Sequence, residues 1–285
     1  MAFRLYPDKC PQMMRILRAM LRSSSQMLVL MMHYRRILIA TTRVEISKRY
    51  AGSALGLVWV GLYPLLLLSV YLFVYLVVFK MRFPGYSEMD YVLYVFAGLV
   101  PYIGMSEAIQ AGTQSIKQNI HLVKNVMLPI EIVPVRAVAA ALVGQSVLLI
   151  LVAVLAAING SLSAFIVMLP VVLVFQFFFL VGIVFVLSAV ALVVQDVAHF
   201  VNLAIMLMMF LSPIGFRADM LPKGYDLLVW ANPISYLLDA YRFVLLSNHA
   251  TSATMLAMYA GISIGLFVLG ATFFQRFKGV LVDYE

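Results

Sequence analysis

Arg35, Arg36, Arg43, Lys48 and Arg49 crowd cations into one short stretch, with Ile37, Leu38, Ile39 and Val44 between them. A planar guanidinium pairs two phosphate oxygens at once, so such a cluster beside apolar residues suits a pyrophosphate held at lipid-headgroup level. The same pattern also suits a helix that only anchors the chain at a membrane surface. Met13 to Arg22 repeats the theme, with Arg15, Arg18 and Arg22 on one helical face and Met13, Leu17, Met20 and Leu21 on the other. A third amphipathic segment runs from Gln114 to Leu128. Ile116, Ile120, Val123 and Met127 share one face, while Gln114, Lys117, His121, Lys124 and Asn125 share the opposite one, and Pro129 stops the helix. A helix of this kind either floats at the interface or docks in a groove of a soluble partner.

Glu107, Glu131, Arg136, Asp196, Asp239 and Arg242 lie in or beside apolar sequence. A charge at membrane depth costs at least ~2.5–3.5 kcal/mol, so such residues pair or face water. Glu131 and Arg136 are five positions apart, too far round a helix for an ideal pair, and each is predicted to reach the interface. Asp239 and Arg242 are three apart and are predicted to pair on one helical face. Asp196 is expected in a tight loop near His199. No evenly spaced chain of carboxylates crosses the apolar sequence, which disfavours a proton-coupled carrier. Tyr63, Tyr71 and Tyr75 supply rings that either stack on sugar faces along a pore or pack between helices.

Catalytic patterns are missing. The sequence has no G-x-x-x-x-G-K-[ST] phosphate loop, no H-E-x-x-H, no Cys/His cluster and no G-x-S-x-G elbow. Any ATP-driven work therefore needs an ATPase on a separate chain. The single cysteine, Cys10, excludes a disulfide within one chain. An enzyme acting on a polyprenyl lipid would need clustered Asp or His at a membrane face, and no such cluster is visible.

Composition determines which elements must position these residues. Hydrophobic residues make up 64% and charged residues 11% of the chain, against about 45–50% and about 25% in soluble domains. Long unbroken apolar runs point to an all-α membrane protein rather than a barrel. Six spans are predicted, at about Leu55–Phe79, Tyr91–Ala111, Ile132–Ile158, Phe165–Val194, Phe200–Phe216 and Thr254–Phe274. The first makes roughly 38 Å of helix, enough for a ~30 Å hydrocarbon core. Six spans place both termini on one side. With both termini cytoplasmic, the inner segments hold fourteen Lys and Arg and the outer segments five, as the positive-inside rule requires. The same rule accounts for the formal charge of +8 without invoking nucleic acid. The expected organisation is a basic interfacial segment over residues 1–54, a membrane domain over 55–274 and a cytoplasmic tail over 275–285. No cleavable signal peptide is expected in the first 26 residues.

Arg49-Tyr50-Ala51-Gly52-Ser53-Ala54-Leu55-Gly56-Leu57-Val58-Trp59 resembles the R-Y-x-x-S-x-L-G-x-x-W motif of type-2 ABC exporter permeases for polysaccharide and polyol phosphate. Phe96 to Pro101 is similar to the family's G-L-x-P step. Asn119 to Pro129, continuing to Glu131 and Pro134, resembles its N-x-x-L-V-K-x-x-x-x-P-x-E-x-x-P loop. Asp196-Val197 resembles R-D-V, although Gln195 stands where Arg is usual, and Asn232-Pro233-Ile234 with Tyr241-Arg242 resembles N-P…Y-R. The resemblance covers about residues 43–250. It implies a homodimer in the bacterial inner membrane with two ABC ATPase subunits, which carry the ATP and Mg, and no cofactor in this chain. It implies a coupling helix over about 114–128, with Lys117, His121, Lys124 and Asn125 facing the ATPase. Short re-entrant periplasmic helices over about 217–253 would form a gate containing Asn232, Pro233, Tyr241 and Arg242. Arg35, Arg36, Arg43, Lys48 and Arg49 would meet a lipid pyrophosphate, and Tyr63, Tyr71 and Tyr75 would line the channel. The cargo expected from the resemblance is an undecaprenyl-linked polysaccharide, O-antigen before teichoic acid or capsule. An exporter of drugs or small lipids shares the same layout.

Overall fold

A computed structural model describes residues 9–50, 53, 55–78, 87–120, 128–217, 220–222 and 224–283. The described chain is helical throughout, and its β content is one isolated bridge between Leu162 and Leu246. Helices α1 (Lys9–His33) and α2 (Arg35–Tyr50) come first. Helix α3 (Trp59–Leu72) runs into a π-helical segment, Phe73–Val78. The long helices α4 (Glu88–Gln118), α5 (Ile132–Ile158) and α6 (Leu169–Val193) follow. A 3₁₀ turn, Ala164–Met168, leads into α6. Then come α7 (Val197–Leu211), the short α8 (Asp226–Trp230), α9 (Pro233–Leu245) and α10 (Ala253–Asp283).

Glu88–Gln118, Ile132–Ile158, Ala164–Val193 and Ala253–Gly279 are each long and apolar enough to cross a membrane. Helix α7 has 15 residues, which at ~1.5 Å each gives roughly 22 Å, short of a ~30 Å hydrocarbon core. The apolar run continues to Phe216, but the helix does not. Pro213 cannot donate to the ladder and pushes Ser212 out of the α region, and Ser212 is extended at φ −88°, ψ 144°. Helix α4 does the opposite and continues past Ala111 to Gln118. The first residues of the amphipathic 114–128 segment are therefore the last turn of a long helix.

Local chemistry sets the helix starts. The Ser87 hydroxyl accepts from the Asp90 N–H while the Asp90 carboxylate accepts from the Ser87 N–H, a reciprocal cap that satisfies two otherwise orphaned donors. Asp90 also accepts from Asn159 Nδ2 at 2.9 Å, tying the start of α4 to the end of α5. Helix α9 opens with the Asn232 side chain accepting from the Ile234 N–H at 3.0 Å, and Pro233 follows in the first turn.

Helix α4 packs on α5 and α6, and α6 packs on α10. Leu99, Val138, Leu180 and Phe185 are fully buried between these helices. Lipid gives helices little hydrophobic reason to associate, so close backbone approach matters more. Gly182 and Gly270 provide it: a Cβ on either would strike the backbone of the facing helix.

Ion pairs order one end of the bundle and hydrogen bonds the other. Glu131, at the start of α5, holds Lys278 of α10 at 2.6 Å. Arg136, one turn into α5, meets Glu45 of α2 at 3.5 Å. The Gln275 side chain donates to the Ser23 carbonyl of α1. Helices α1 and α2, the start of α5 and the end of α10 thus share one end. Glu131 and Arg136 lie at this end of the bundle, where both are buried and paired with charges from other helices. The other end holds the start of α4, the 159–163 turn and Ser247, whose N–H donates to the Ser161 carbonyl.

Candidate functional site: a buried chain break and a polar cavity

After α7 the chain runs through Ser212, Pro213, Ile214 and Gly215, all buried and none helical. Irregular backbone within an apolar bundle must have its polar groups satisfied by protein. Four carbonyls in succession find side-chain donors. The Arg242 Nη2 donates to Pro213 O at 2.7 Å and to Ile214 O at 2.8 Å. The Tyr91 hydroxyl donates to Gly215 O at 3.2 Å and the Tyr94 hydroxyl to Phe216 O at 3.4 Å.

Arg242 is 2% exposed, and its position is fixed on every side. Its Nε donates to Tyr94 O, and its guanidinium lies 3.7 Å from the Tyr94 ring centroid, a cation–π contact strengthened by burial. Gly98 leaves the slot open, because a Cβ there would stand 2.7 Å from Nη2. Asn232 closes the other side of the break, its Nδ2 donating to Ser212 Oγ at 2.9 Å. The residues Asn232, Pro233 and Arg242 therefore belong to one device, a capped helix that braces an interrupted span.

Tyr241 points into the bundle. Its hydroxyl bonds Gln176, and Gln145 Nε2 donates both to Tyr241 at 3.0 Å and to Gln176 at 2.8 Å. Gln176 returns a bond to Gln145 at 2.9 Å and reaches Pro101 O at 3.4 Å. Sequence reading missed Gln145 and Gln176; the available signal was a lone amide in each of two otherwise apolar helices.

Asp239 and Arg242 do not form the close pair that their spacing suggested. The Asp239 carboxylate is bonded to His249 Nε2 at 2.6 Å and to Thr251 Oγ1, and Arg242 acts on it through charge. Arg242 instead donates to the carbonyls that the break frees from helical pairing, Pro213 O and Ile214 O.

A cavity of about 1180 Å³ opens between the end of α2, the start of α3 and one face of α4, α5 and α7. Its wall is largely apolar, with polar groups contributed by Tyr102, Ser106, Glu107 and Gln110 from α4, Gln145 from α5 and Asn202 from α7. Tyr102 is anchored by its hydroxyl, which donates to Ile205 O across the cavity rim. Phe200, Leu203, Met206, Leu207 and Phe210 leave an outward apolar stripe on α7 beside it.

Arg35, Arg36, Arg43 and Lys48 are exposed on α2, whose end borders the cavity through Ile46. Leu38, Thr42 and Glu45 turn inward from the same helix. Lys117 is exposed in the last turn of α4, one residue after the buried Ile116. His121, Lys124 and Asn125, and the side chains of Arg49, Tyr63, Tyr71 and Tyr75, lie outside the described residues. No group of His, Cys, Asp and Glu able to hold a metal occurs among the described residues.

A helical bundle with four membrane-length helices, a braced break in a shorter one and a cavity alongside is the architecture of a multi-pass membrane protein. The chain belongs to the ABC-2 type transporter family, whose model matches residues 37–246. It is similar to the O-antigen export system permease protein RfbA of Myxococcus xanthus, with 26% identity over 245 residues covering 85% of this chain and 92% of the relative. Two RfbA permeases of Klebsiella pneumoniae are each 24% identical, over 245 and 247 residues, with the same coverage. The matched region takes in α2 from Ile37 onward, the cavity and the braced break.

Proposed function

We propose that this chain is the membrane-spanning subunit of an ATP-driven exporter that moves undecaprenyl-linked O-antigen polysaccharide across the bacterial inner membrane. The observation that carries this reading is the 1180 Å³ cavity, a groove on the side of the bundle whose largely apolar wall carries Ser106, Glu107, Gln110 and Asn202. Such polar groups at membrane depth are costly unless they pair, face water or meet a hydrophilic cargo. The groove is open on one side, and a second copy across the α7 stripe would close it into a channel.

In this reading the protein is a homodimer bearing two copies of an ABC ATPase, which supply ATP and Mg; this chain is not itself an enzyme and needs no cofactor. The six crossings are α3 with its π continuation, α4, α5, α6, α7 and α10, with both termini cytoplasmic. Residues 1–54 form the interfacial segment, 55–274 the membrane domain and 275–285 the tail. Segment 114–128 couples to the ATPase through Lys117, His121, Lys124 and Asn125. The exposed cations of α2, with Arg49, meet the lipid pyrophosphate. Tyr63, Tyr71 and Tyr75 line the channel. Helices α8 and α9 are the re-entrant gate, held by Asn232, Pro233, Tyr241 and Arg242.

The test is to purify the chain with its candidate ATPase and measure ATP hydrolysis with and without undecaprenyl-linked glycan. A two-plus-two complex stimulated by that lipid supports the reading. Failure to form a complex, or stimulation only by a teichoic-acid or small-lipid substrate, overturns it. Lys117→Glu should uncouple export while leaving the fold intact, and wild-type export in that variant would remove the docking role.

A further inference from the structure

A second cavity, of about 570 Å³, lies between α8, α9, the start of α4 and the segment after Leu246. That size falls in the range of roughly 300–1,000 Å³ typical of small-ligand sites. We propose that this cavity binds a single pyranose unit of a saccharide, with Trp230 and Tyr236 against the ring and Asp239 and Ser235 on its hydroxyls.

A sugar ring offers an apolar C–H face and an edge of hydroxyls, so a site for it needs an aromatic surface beside fixed polar groups. Trp230 is 51% exposed at the cavity edge. The Tyr236 hydroxyl donates to the Trp230 backbone carbonyl at 2.8 Å, tying the end of α8 to α9. Ser235 and Asp239 stand one turn apart on α9 and both line the cavity. The Ser235 Oγ is buried and has no hydrogen-bond partner among the described residues, a cost a ligand hydroxyl would remove.

Asp239 is held in place before any ligand arrives. His249 and Thr251 bond its two oxygens, using two of about four acceptor positions and leaving the others for donors from outside. Burial works against its charge, but the bonds from His249 and Thr251 and the charges of His249 and Arg242 outweigh it and hold the carboxyl below its usual range. Asp239 is therefore an ionised acceptor at neutral pH, the form that takes hydroxyl donors. The cavity borders the braced break through Pro213 and Arg242, so a bound ring would rest against the element that closes the end of α7.

The inference rests on the polysaccharide-export reading for the source of the saccharide. Binding is measured by saturation-transfer NMR on the full chain in nanodiscs, with methyl α-D-mannopyranoside, methyl β-D-galactopyranoside and methyl α-L-rhamnopyranoside as probes and glycerol as an acyclic control. At least one glycoside should receive saturation and glycerol should not. Affinity should fall by about tenfold or more in Trp230→Ala and in Asp239→Asn. Transfer no greater than with empty nanodiscs, or unchanged in Trp230→Ala, overturns the proposal. Because Trp230 is half exposed, that variant folds even if Asp239→Asn does not. Glycan-stimulated ATPase without glycoside binding overturns the site alone. Glycoside binding without such stimulation supports the site and overturns the export reading.

Discussion

Removing the Arg242 guanidinium tests whether the chain break after α7 is held as described. In Arg242→Met the stem volume stays, but Pro213 O and Ile214 O lose donors at 2.7 and 2.8 Å. Each buried carbonyl left unsatisfied costs about 1–3 kcal/mol, so the two together cost about 2–6 kcal/mol. Tyr94 O loses less, since it lies within α4 and can keep its helical partner. Relief of the buried charge offsets part of this cost. Hydrogen bonds between helices in membranes are often worth only about 0.6 kcal/mol, which sets the lower bound of a useful result. A net loss of about 2–4 kcal/mol is expected for Arg242→Met and about half as much for Arg242→Lys, which keeps the charge but not the fork. The assay is unfolding in mixed micelles with rising sodium dodecyl sulfate, followed by circular dichroism. Gly98→Leu should mimic Arg242→Met, because its side chain would occupy the guanidinium slot. If Arg242→Met unfolds within about 0.6 kcal/mol of the parent, the break is held by something other than these bonds.

Three further perturbations probe the remaining supports, each read by the same unfolding assay. Lys278→Met strips the partner from the buried Glu131, whose Oε2 already lacks a bond; a loss of about 1–3 kcal/mol is expected, discounted because Lys278 is partly exposed, and Glu131→Leu in the same chain should restore most of it. Gly270→Ala places a methyl group against the Gly182 carbonyl, so α6 and α10 must separate, costing about 1–3 kcal/mol as overpacking does; wild-type stability would mean the helices are not that close. Gln145→Leu and Gln176→Leu should each cost about 1–2 kcal/mol by orphaning the other amide, while the double variant costs less than the sum; strict additivity would show that the two amides do not act as a pair.

The bundle was legible in sequence to the extent that composition alone determines it. The sequence places the third span at Ile132–Ile158, and α5 has those bounds, because a long, largely apolar run flanked by Pro129 and Gly160 leaves little other choice. The fifth span was not legible in the same way. Its apolar run extends to Phe216, and hydropathy does not register that Pro213 ends the helix and exposes carbonyls. Arg242 lies 148 positions from Tyr94, so no local spacing could pair them, and an i, i+3 rule assigned Arg242 to Asp239 instead. The same holds for Glu131 and Arg136, whose partners sit on α10 and α2, out of reach of any local spacing rule.

These long-range contacts give α4 a particular mechanical position. One end carries the exposed Lys117 and leads toward Glu131, whose carboxylate is tied to α10. The other end carries Tyr91, Tyr94 and Gly98, which together with Arg242 brace the break after α7. Between them Pro101 interrupts the hydrogen-bond ladder, and Gln176 is bonded to its carbonyl. A displacement of the Lys117 end thus has a continuous packed route to the brace, with Pro101 as the point where the helix can bend and the Gln145–Gln176–Tyr241 cluster as the tie that would resist bending. Loosening that tie should alter the two ends unequally: the Lys117 end keeps its contacts to α5, while the brace loses the bonds that Tyr241 makes from the residue next to Arg242.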